Sequence, residues 1–272
     1  TPKRRSIGVA APGSIRRFSP DGRHLVVFSM DQASVCLYRV NPSWGRGLAF
    51  DDFFTLDRAI RPSLSENELL CRDFCLFLAD STHMILASAF PSPTGGDSQR
   101  RGLGKWSNPR SMSSFEHLDN VTFHLISLAD STTQDRLQFP EDYILLANHG
   151  GVSLIGDRFA VCSLQHQSVL VYRVVEGKFV AMARVGHHCD LSLLHGPTAG
   201  LVMGLWHKIL CFLYEQSAEK SWFHGVSRSL NNLCIHKVQF IDNHRLLLKM
   251  VPTNHLVQRS SSNEQPNNFI FV

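Results

Sequence analysis

Four short apolar runs, each entered through an aspartate-centred turn, set the rhythm of the chain. Phe18-Ser19-Pro20-Asp21-Gly22 leads into Leu25-Val26-Val27-Phe28, and Phe77-Leu78-Ala79-Asp80 leads into Met84-Ile85-Leu86-Ala87. Leu154-Ile155-Gly156-Asp157 leads into Phe159-Ala160-Val161, and Phe240-Ile241-Asp242-Asn243 leads into Leu246-Leu247-Leu248. Aspartate, asparagine and glycine suit such turns because they bond their own main chain or tolerate left-handed backbone angles. A second apolar run follows each turn, at 35–40, at 121–126 beyond an insertion, at 169–174 and at 268–271. The first and third copies align without gaps. Ser29, Ser34 and Tyr38-Arg39-Val40 fall on Ser163, Ser168 and Tyr172-Arg173-Val174 at one constant offset.

One strand–turn–strand unit cannot bury its own faces, so repeated units must stack on one another. Strands covered on both faces read as unbroken apolar runs, as "LVVF", "MILASA" and "LLL" do. The alternation in "VCLYRV" and "VLVYRV" predicts outer strands. The pattern predicts an all-β, β-propeller-like fold of WD-type blades, one domain over 1–272. At about 40–45 residues per four-stranded blade, the length allows about six blades or an incomplete ring. A β-sandwich is the rival, with more even strand spacing expected. Residues 91–118 are rich in Pro, Gly, Ser and Arg, and 252–268 are polar, so both read as loop insertions. Residues 215–231 are expected to hold a short helix or a second insertion. Trp206 and Trp222, within or beside apolar runs, are expected in the core.

Composition narrows the setting more than the function. Hydrophobic residues make up 43% and charged residues 18% of the 272, which is a globular balance. No apolar run approaches the length of a membrane span, so no membrane partner is expected. The chain starts at Thr1 without a signal segment and is expected to be a piece of a longer protein. Seven cysteines, an odd number with apolar neighbours such as Val35 and Leu37 around Cys36, predict buried thiols in a reducing compartment. The net charge of +4 is partly gathered in Lys3-Arg4-Arg5, Arg16-Arg17 and Arg100-Arg101. Such doublets meet nucleic acid or an acidic partner, or are solvated loop residues.

Chemical motifs fail one by one. His149-Gly150-Gly151-Val152-Ser153 has the look of an esterase oxyanion turn, but no G-x-S-x-G nucleophile elbow accompanies it. Gly102-Leu103-Gly104-Lys105 misses the phosphate loop at Gln99 and at Trp106. Cys71 and Cys75 lie on an expected strand, where four residues span about 13 Å and cannot share one zinc. His187-His188-Cys189-Asp190 is denser, but neighbours on an extended chain point apart, so no metal and no cofactor are expected. The acidic pairs Asp51-Asp52 and Glu141-Asp142 read as solvated turns, and no catalytic residue is assigned. Exposed aromatics in basic loops remain: Trp44 with Arg46, and Trp106 with Arg100, Arg101, Lys105 and Arg110. Tryptophan beside arginine is a common protein-binding anchor, so 41–50 and 98–110 are the expected contact regions. The alternative is an aromatic folded back over a blade edge. Asp21, Gly22, Asp80, Asp157 and Asp242 are assigned to turn scaffolding.

Several of these landmarks together resemble the De-etiolated-1 family. Arg17-Phe18-Ser19-Pro20-Asp21-Gly22-Arg23 followed by Phe28-Ser29, Asp31-Gln32, Ser34 and Tyr38 is one; "SLQHQSVLVYRV" from Ser163 to Val174 is another. Asn108-Pro109-Arg110-Ser111 ahead of Phe123-His124-Leu125-Ile126, and Lys237 and Gln239 ahead of Asp242-Asn243-His244, complete the order. The resemblance implies a non-catalytic nuclear adaptor of the cullin-4 ubiquitin ligase. The partners it implies are damaged-DNA-binding protein 1 and a ubiquitin-conjugating or E2-variant subunit; chromatin enters as a partner with the nucleic-acid-binding reading. It also implies repression of light- or development-regulated genes. Two other readings stand beside it: a chromatin- or nucleic-acid-binding propeller using Arg100, Arg101, Lys105 and Arg110, and a propeller hydrolase.

Overall fold

The computed structural model describes residues 11–41, 49–91, 118–186, 204–217, 220–253 and 268–271. They form four antiparallel sheets, each a meander of consecutive strands. Sheet 1 comprises β1 (Gly13–Phe18), β2 (His24–Ser29), β3 (Val35–Val40) and β4 (Phe54–Ile60). Sheet 2 comprises β5 (Leu69–Phe77), β6 (His83–Pro91), β7 (Asp119–Ser127) and β8 (Thr133–Asp142). Sheet 3 comprises β9 (Val152–Ile155), β10 (Arg158–Ser163), β11 (Ser168–Val175) and β12 (Lys178–Val185). Sheet 4 has β13 (Leu233–Phe240), β14 (Leu246–Pro252) and β15 (Asn268–Phe271). Helix α1 (Phe50–Phe53) precedes β4, while α2 (Leu205–Gln216) and α3 (Lys220–Asn231) lie between β12 and β13.

The architecture is the expected all-β, propeller-like one. Two compact units divide the chain, Thr1–Phe90 with Val121–Gln138, and Pro91–Asn120 with Phe139–Val272. Sheets 1 and 2 belong to the first unit, with the tail of β8 passing into the second; sheets 3 and 4 and helices α2 and α3 belong to the second. The described residues hold four sheets, three of four strands and one of three, fewer than the roughly six blades the length allows and in keeping with an incomplete ring.

In unit 1, β2 explains its own solid apolar run. Val26 and Phe28 pack with Val35, Leu37 and Ile60 against Leu70, Cys75, Phe77, Met84, Leu86 and Ile126 of sheet 2. Leu25 and Val27 face the other way, with Tyr38 and Phe50. Phe50 of α1 stands edge-on to Tyr38 at 5.1 Å. The readings of β3 and β11 as outer strands are corrected: β3 pairs with both β2 and β4, and β11 with both β10 and β12. Their alternation records an exposed position such as Arg39 or Arg173, and says nothing about place in the sheet.

The aspartate turns close the hairpins as read, with one exception. Asp21 Oδ1 accepts the Ser19 hydroxyl at 2.5 Å and the Arg23 amide at 3.1 Å, and those bonds hold its carboxyl below the usual range. Gly22 takes φ +69°, where a side chain would be strained. Asp80 accepts the Thr82 amide at 3.0 Å, and Asp242 accepts the amides of His244 and Arg245 at 2.8 and 2.9 Å. Asp157 differs. Its carboxylate turns outward to Arg173 Nε on β11 at 2.5 Å, and Gly156 at φ +57° shapes the turn.

Unit 2 packs Ala160, Cys162, Val169 and Val171 against Ile235, Val238, Leu248 and Met250, roofed by Leu205 and Trp206 of α2 and Leu230 of α3. Burial pushes the Cys75 thiol up to about 12 and Cys234 up to about 11, so these sulfurs behave as small apolar groups. Trp206 is core, as expected. Trp222 is not: it stands 50% exposed on α3. Cys211, expected to be buried, is half-buried, and Phe212 beside it is 60% exposed. The cause is the period. A helix turns Leu205, Ile209, Leu210 and Leu213 inward and leaves Phe212 outside, where a strand would have alternated.

Side-chain bonds, with one main-chain bond beside them, join the sheets of this unit. Gln167 is buried in the β10–β11 turn; its amide donates to the carbonyls of Leu164 at 2.9 Å and Ile235 at 3.2 Å, and its Oε1 accepts the Ile235 amide at 2.6 Å. Phe240 donates its amide to Ser153 Oγ at 2.9 Å, and Val238 donates to the Gly150 carbonyl at 3.2 Å. A Cβ on Gly151 would lie 2.8 Å from the Leu145 nitrogen, so the His149-Gly150-Gly151 turn is a close-approach turn. Replacing Gln167 with Met keeps the volume but leaves the Ile235 amide and carbonyl buried without partners. Urea titration is expected to show a loss of about 2–3 kcal/mol.

Candidate functional site

All seven residues expected to bind a partner, Trp44, Arg46, Arg100, Arg101, Lys105, Trp106 and Arg110, lie outside the described residues. Their flanks are described. The segment carrying Trp44 leaves from the end of β3 that pairs with His24, beside the Asp21 turn. The segment carrying Trp106 leaves from the end of β6, where Ala89 pairs with Leu69. Leu70 in turn donates its amide to Gln32 in the β2–β3 turn at 2.9 Å, which sets that end of sheet 2 beside the opposite end of sheet 1. The two segments therefore depart from opposite ends of unit 1.

Two buried polar clusters were not legible in the sequence. In unit 1, Ser88 on β6 meets His124 Nε2 on β7 at 2.6 Å and donates its hydroxyl to Glu68 Oε1. Glu68 Oε2 accepts the Ser65 amide at 2.7 Å. Serine, histidine and a carboxylate at hydrogen-bond distance invite comparison with acyl-transfer triads, but the order is wrong. There the histidine lies between acid and serine and takes the serine's proton. Here the serine lies between: its hydroxyl donates to the carboxylate, with His124 Nε2 on its other side. Ser88 is fully buried and His124 is 1% exposed, so no substrate reaches the hydroxyl. Burial pushes His124 down to about 4, so it is neutral at pH 7. Burial alone would raise the Glu68 carboxyl, but the bonds from Ser88 and Ser65 outweigh it and hold the group low. The arrangement locks β5, β6 and β7 together.

In unit 2, Asp142 accepts the Ser163 hydroxyl at 2.9 Å and the Tyr143 amide at 2.7 Å. Burial pushes its carboxyl up to about 6 against those bonds. The repeat explains why Ser163 reaches outward. Its counterpart Ser29 donates to Asp31 in its own turn at 2.5 Å, and the position aligned with Asp31 is Gln165. With no acid in the turn, the hydroxyl bonds Asp142 instead.

The surface has a different chemistry. Among the described residues, no group of three or more His, Cys, Asp or Glu is placed to hold a metal ion, and no helix is long and apolar enough to cross a membrane. The His187-His188-Cys189-Asp190 cluster lies outside the described residues. The large exposed aromatics of unit 2 gather on the helical pair: Phe212, Tyr214 and Trp222. Tyr214 stacks edge-on with Phe223 at 5.2 Å and joins α2 to α3. Helical spacing around Trp222 was the signal that would have found this surface.

His124 makes a pH prediction with a definite sign. Its pKa is about 4 in the fold and ordinary, about 6.5, when unfolded. Between those values the unfolded chain takes up a proton that the folded one refuses, so stability falls as pH drops from 6.5 to 4 and levels below. Hydrogen exchange of β6 and β7 amides, corrected for intrinsic rate, is expected to lose about 3 kcal/mol of protection over that window. His124→Gln should remove the slope; an unchanged slope would assign it to another group.

The model of the family described as De-etiolated protein 1 matches residues 72–272. A light-mediated development protein of Solanum lycopersicum is 24% identical over 91% of this chain and 55% of its own length. Its counterpart in Arabidopsis thaliana is 28% identical over 64% of this chain and 33% of its own length. The chain thus spans about half the length, or less, of the curated relatives it matches. Among solved structures, the β-propeller domain of Cps50 (Swd1) from Myceliophteria thermophila is 8% identical, with a TM-score of 0.35 over 86% of this chain and 64% of that one.

Proposed function

The chain belongs to the De-etiolated protein 1 family, and from that premise we propose that it is a non-catalytic adaptor or substrate-receptor subunit of a cullin-4 ubiquitin ligase. In this reading it works in the nucleus, docks on damaged-DNA-binding protein 1, receives a ubiquitin-conjugating or E2-variant subunit, and represses light- or development-regulated genes. The observation that carries the reading is the family match over three quarters of the chain, together with relatives named for light-mediated development. The buried chemistry agrees with it: the Ser88–His124–Glu68 cluster is closed to substrate, and its serine bonds the carboxylate directly. The mechanism is positional. Rigid sheets hold insertions that bring a target near a charged ubiquitin carrier and raise its effective concentration.

A tagged full chain incubated in nuclear extract is expected to recover damaged-DNA-binding protein 1 and cullin-4 by mass spectrometry. Purified damaged-DNA-binding protein 1 should then co-elute with the chain without other components. Recovery of chromatin proteins with no cullin-4 adaptor, and binding that falls steeply with salt as phosphate contacts release counterions, would replace the ligase reading with the nucleic-acid one.

A further inference from the structure

Helix α3 turns its packed residues Phe223, Val226 and Leu230 toward Tyr214 and the core of unit 2. At about 100° per residue, the middle of its opposite side falls at Arg228, with His224 on one flank and Gly225 on the other; Ser229 and Trp222 lie beyond Gly225, toward the packed side. Trp222 is 50% exposed. A Cβ built on Gly225 meets nothing within 4 Å, so among the described residues no neighbour crowds that position. Glycine in a helix interior weakens the helix, and the packing of the described residues gives no reason for one here. A patch of bare backbone beside a flat exposed ring does suit close approach by a second helix.

Charge points to the kind of helix. Within α2 and α3 the basic and imidazole side chains are His207, Lys208, Lys220, His224 and Arg228, against the single carboxylate of Glu215. Of these, His207, Lys208, His224 and Arg228 are exposed. Helix α3 itself carries no carboxylate, so a second copy of this face would offer Arg228 no partner.

We propose that the outer face of α3 binds an acidic amphipathic helix of a partner protein. Trp222 is the anchor, Gly225 is the point of closest backbone approach, and Arg228 pairs with the partner's carboxylates. The proposal goes beyond the ligase reading and stands whether or not damaged-DNA-binding protein 1 binds elsewhere.

The probe is a display library of random peptides about 16 residues long, selected on the immobilised full chain. Enriched peptides are expected to carry net negative charge with apolar residues at helical spacing. Synthetic copies should shift the tryptophan emission of the full chain, a change lost in Trp222→Ala with at least about a tenfold drop in affinity. Gly225→Leu separates folding from binding: it favours the helix, so circular dichroism and melting should be at least as good as in the parent, yet affinity should fall about tenfold. Arg228→Glu should reverse the preference toward lysine-rich peptides. Enriched peptides without a charge signature, or affinity unchanged in Gly225→Leu, would overturn the proposal. So would a concentration-dependent dimer lost in Trp222→Ala, which assigns the face to a second copy. Vesicles of phosphatidylserine that bind in place of acidic peptides would assign it to lipid and overturn it equally.

Discussion

β2 has no face to offer water. Val26 and Phe28 look to one side and Leu25 and Val27 to the other, and none of the four is more than 3% exposed. A central strand of that kind holds only if its sheet is covered on both faces, which a lone hairpin cannot achieve. Stacking is therefore the condition for any of these units to fold. The short aspartate turns follow from it, because strands buried on both faces must reverse direction at once, with every amide in the turn given a partner. Asp21, Asp80 and Asp242 each supply acceptors for the amides that the reversal leaves open.

Stacked sheets meet through side chains, so the polar groups between them settle alignment where the ladder cannot. Gln167 holds both backbone groups of Ile235 across sheets 3 and 4. Glu68, Ser88 and His124 do similar work within sheet 2, one residue from each of the loop before β5, β6 and β7. These contacts also record how the repeats diverged. Ser29 and Ser163 occupy the same place in their copies, yet one bonds Asp31 in its own turn and the other bonds buried Asp142. With Gln165 where the first copy has Asp31, a tertiary bond stands in place of the turn bond.

The strands and turns were legible because their signals are local: an apolar run, an aspartate, a period of two. Even so, Asp31 and Asp130, which bond the amides of Ala33 and Thr132 in the same manner, passed unread although Ser29 two residues before Asp31 repeats the Ser19–Asp21 spacing. The helices were obscured for another reason. "LWHKILCFLYEQ" is so rich in apolar residues that its period is blurred, and Trp222 was placed in the core on the strength of its neighbours. Only the helical phase separates Trp206, which is buried, from Trp222, which is not. The Glu68–Ser88–His124 cluster had no signal at all, since its members lie far apart in sequence and meet only through sheet pairing. The partner-binding residues assigned to 41–50 and 98–110 lie outside the described residues, so geometry bears only on the strand ends from which those segments leave.

What the sheets bury constrains what the chain can do with its surface. The described groups best suited to acid–base or nucleophilic work are enclosed: Ser88 and Cys162 are fully buried, and Asp142 and His124 are 1% exposed. Each is bonded or packed in a way that serves the stacking, and opening any of them would expose the apolar strands around it. Change at the surface is free of that constraint only where the chain leaves the strand–turn grammar, as it does between β12 and β13. There the helices bury Leu205, Trp206 and Leu230 inward to close the core and still keep a full outer face. A scaffold that must seal its sheets can specialise at such an insertion without disturbing a single sheet-to-sheet bond, and so recognition is expected to concentrate in the insertions rather than on the strands.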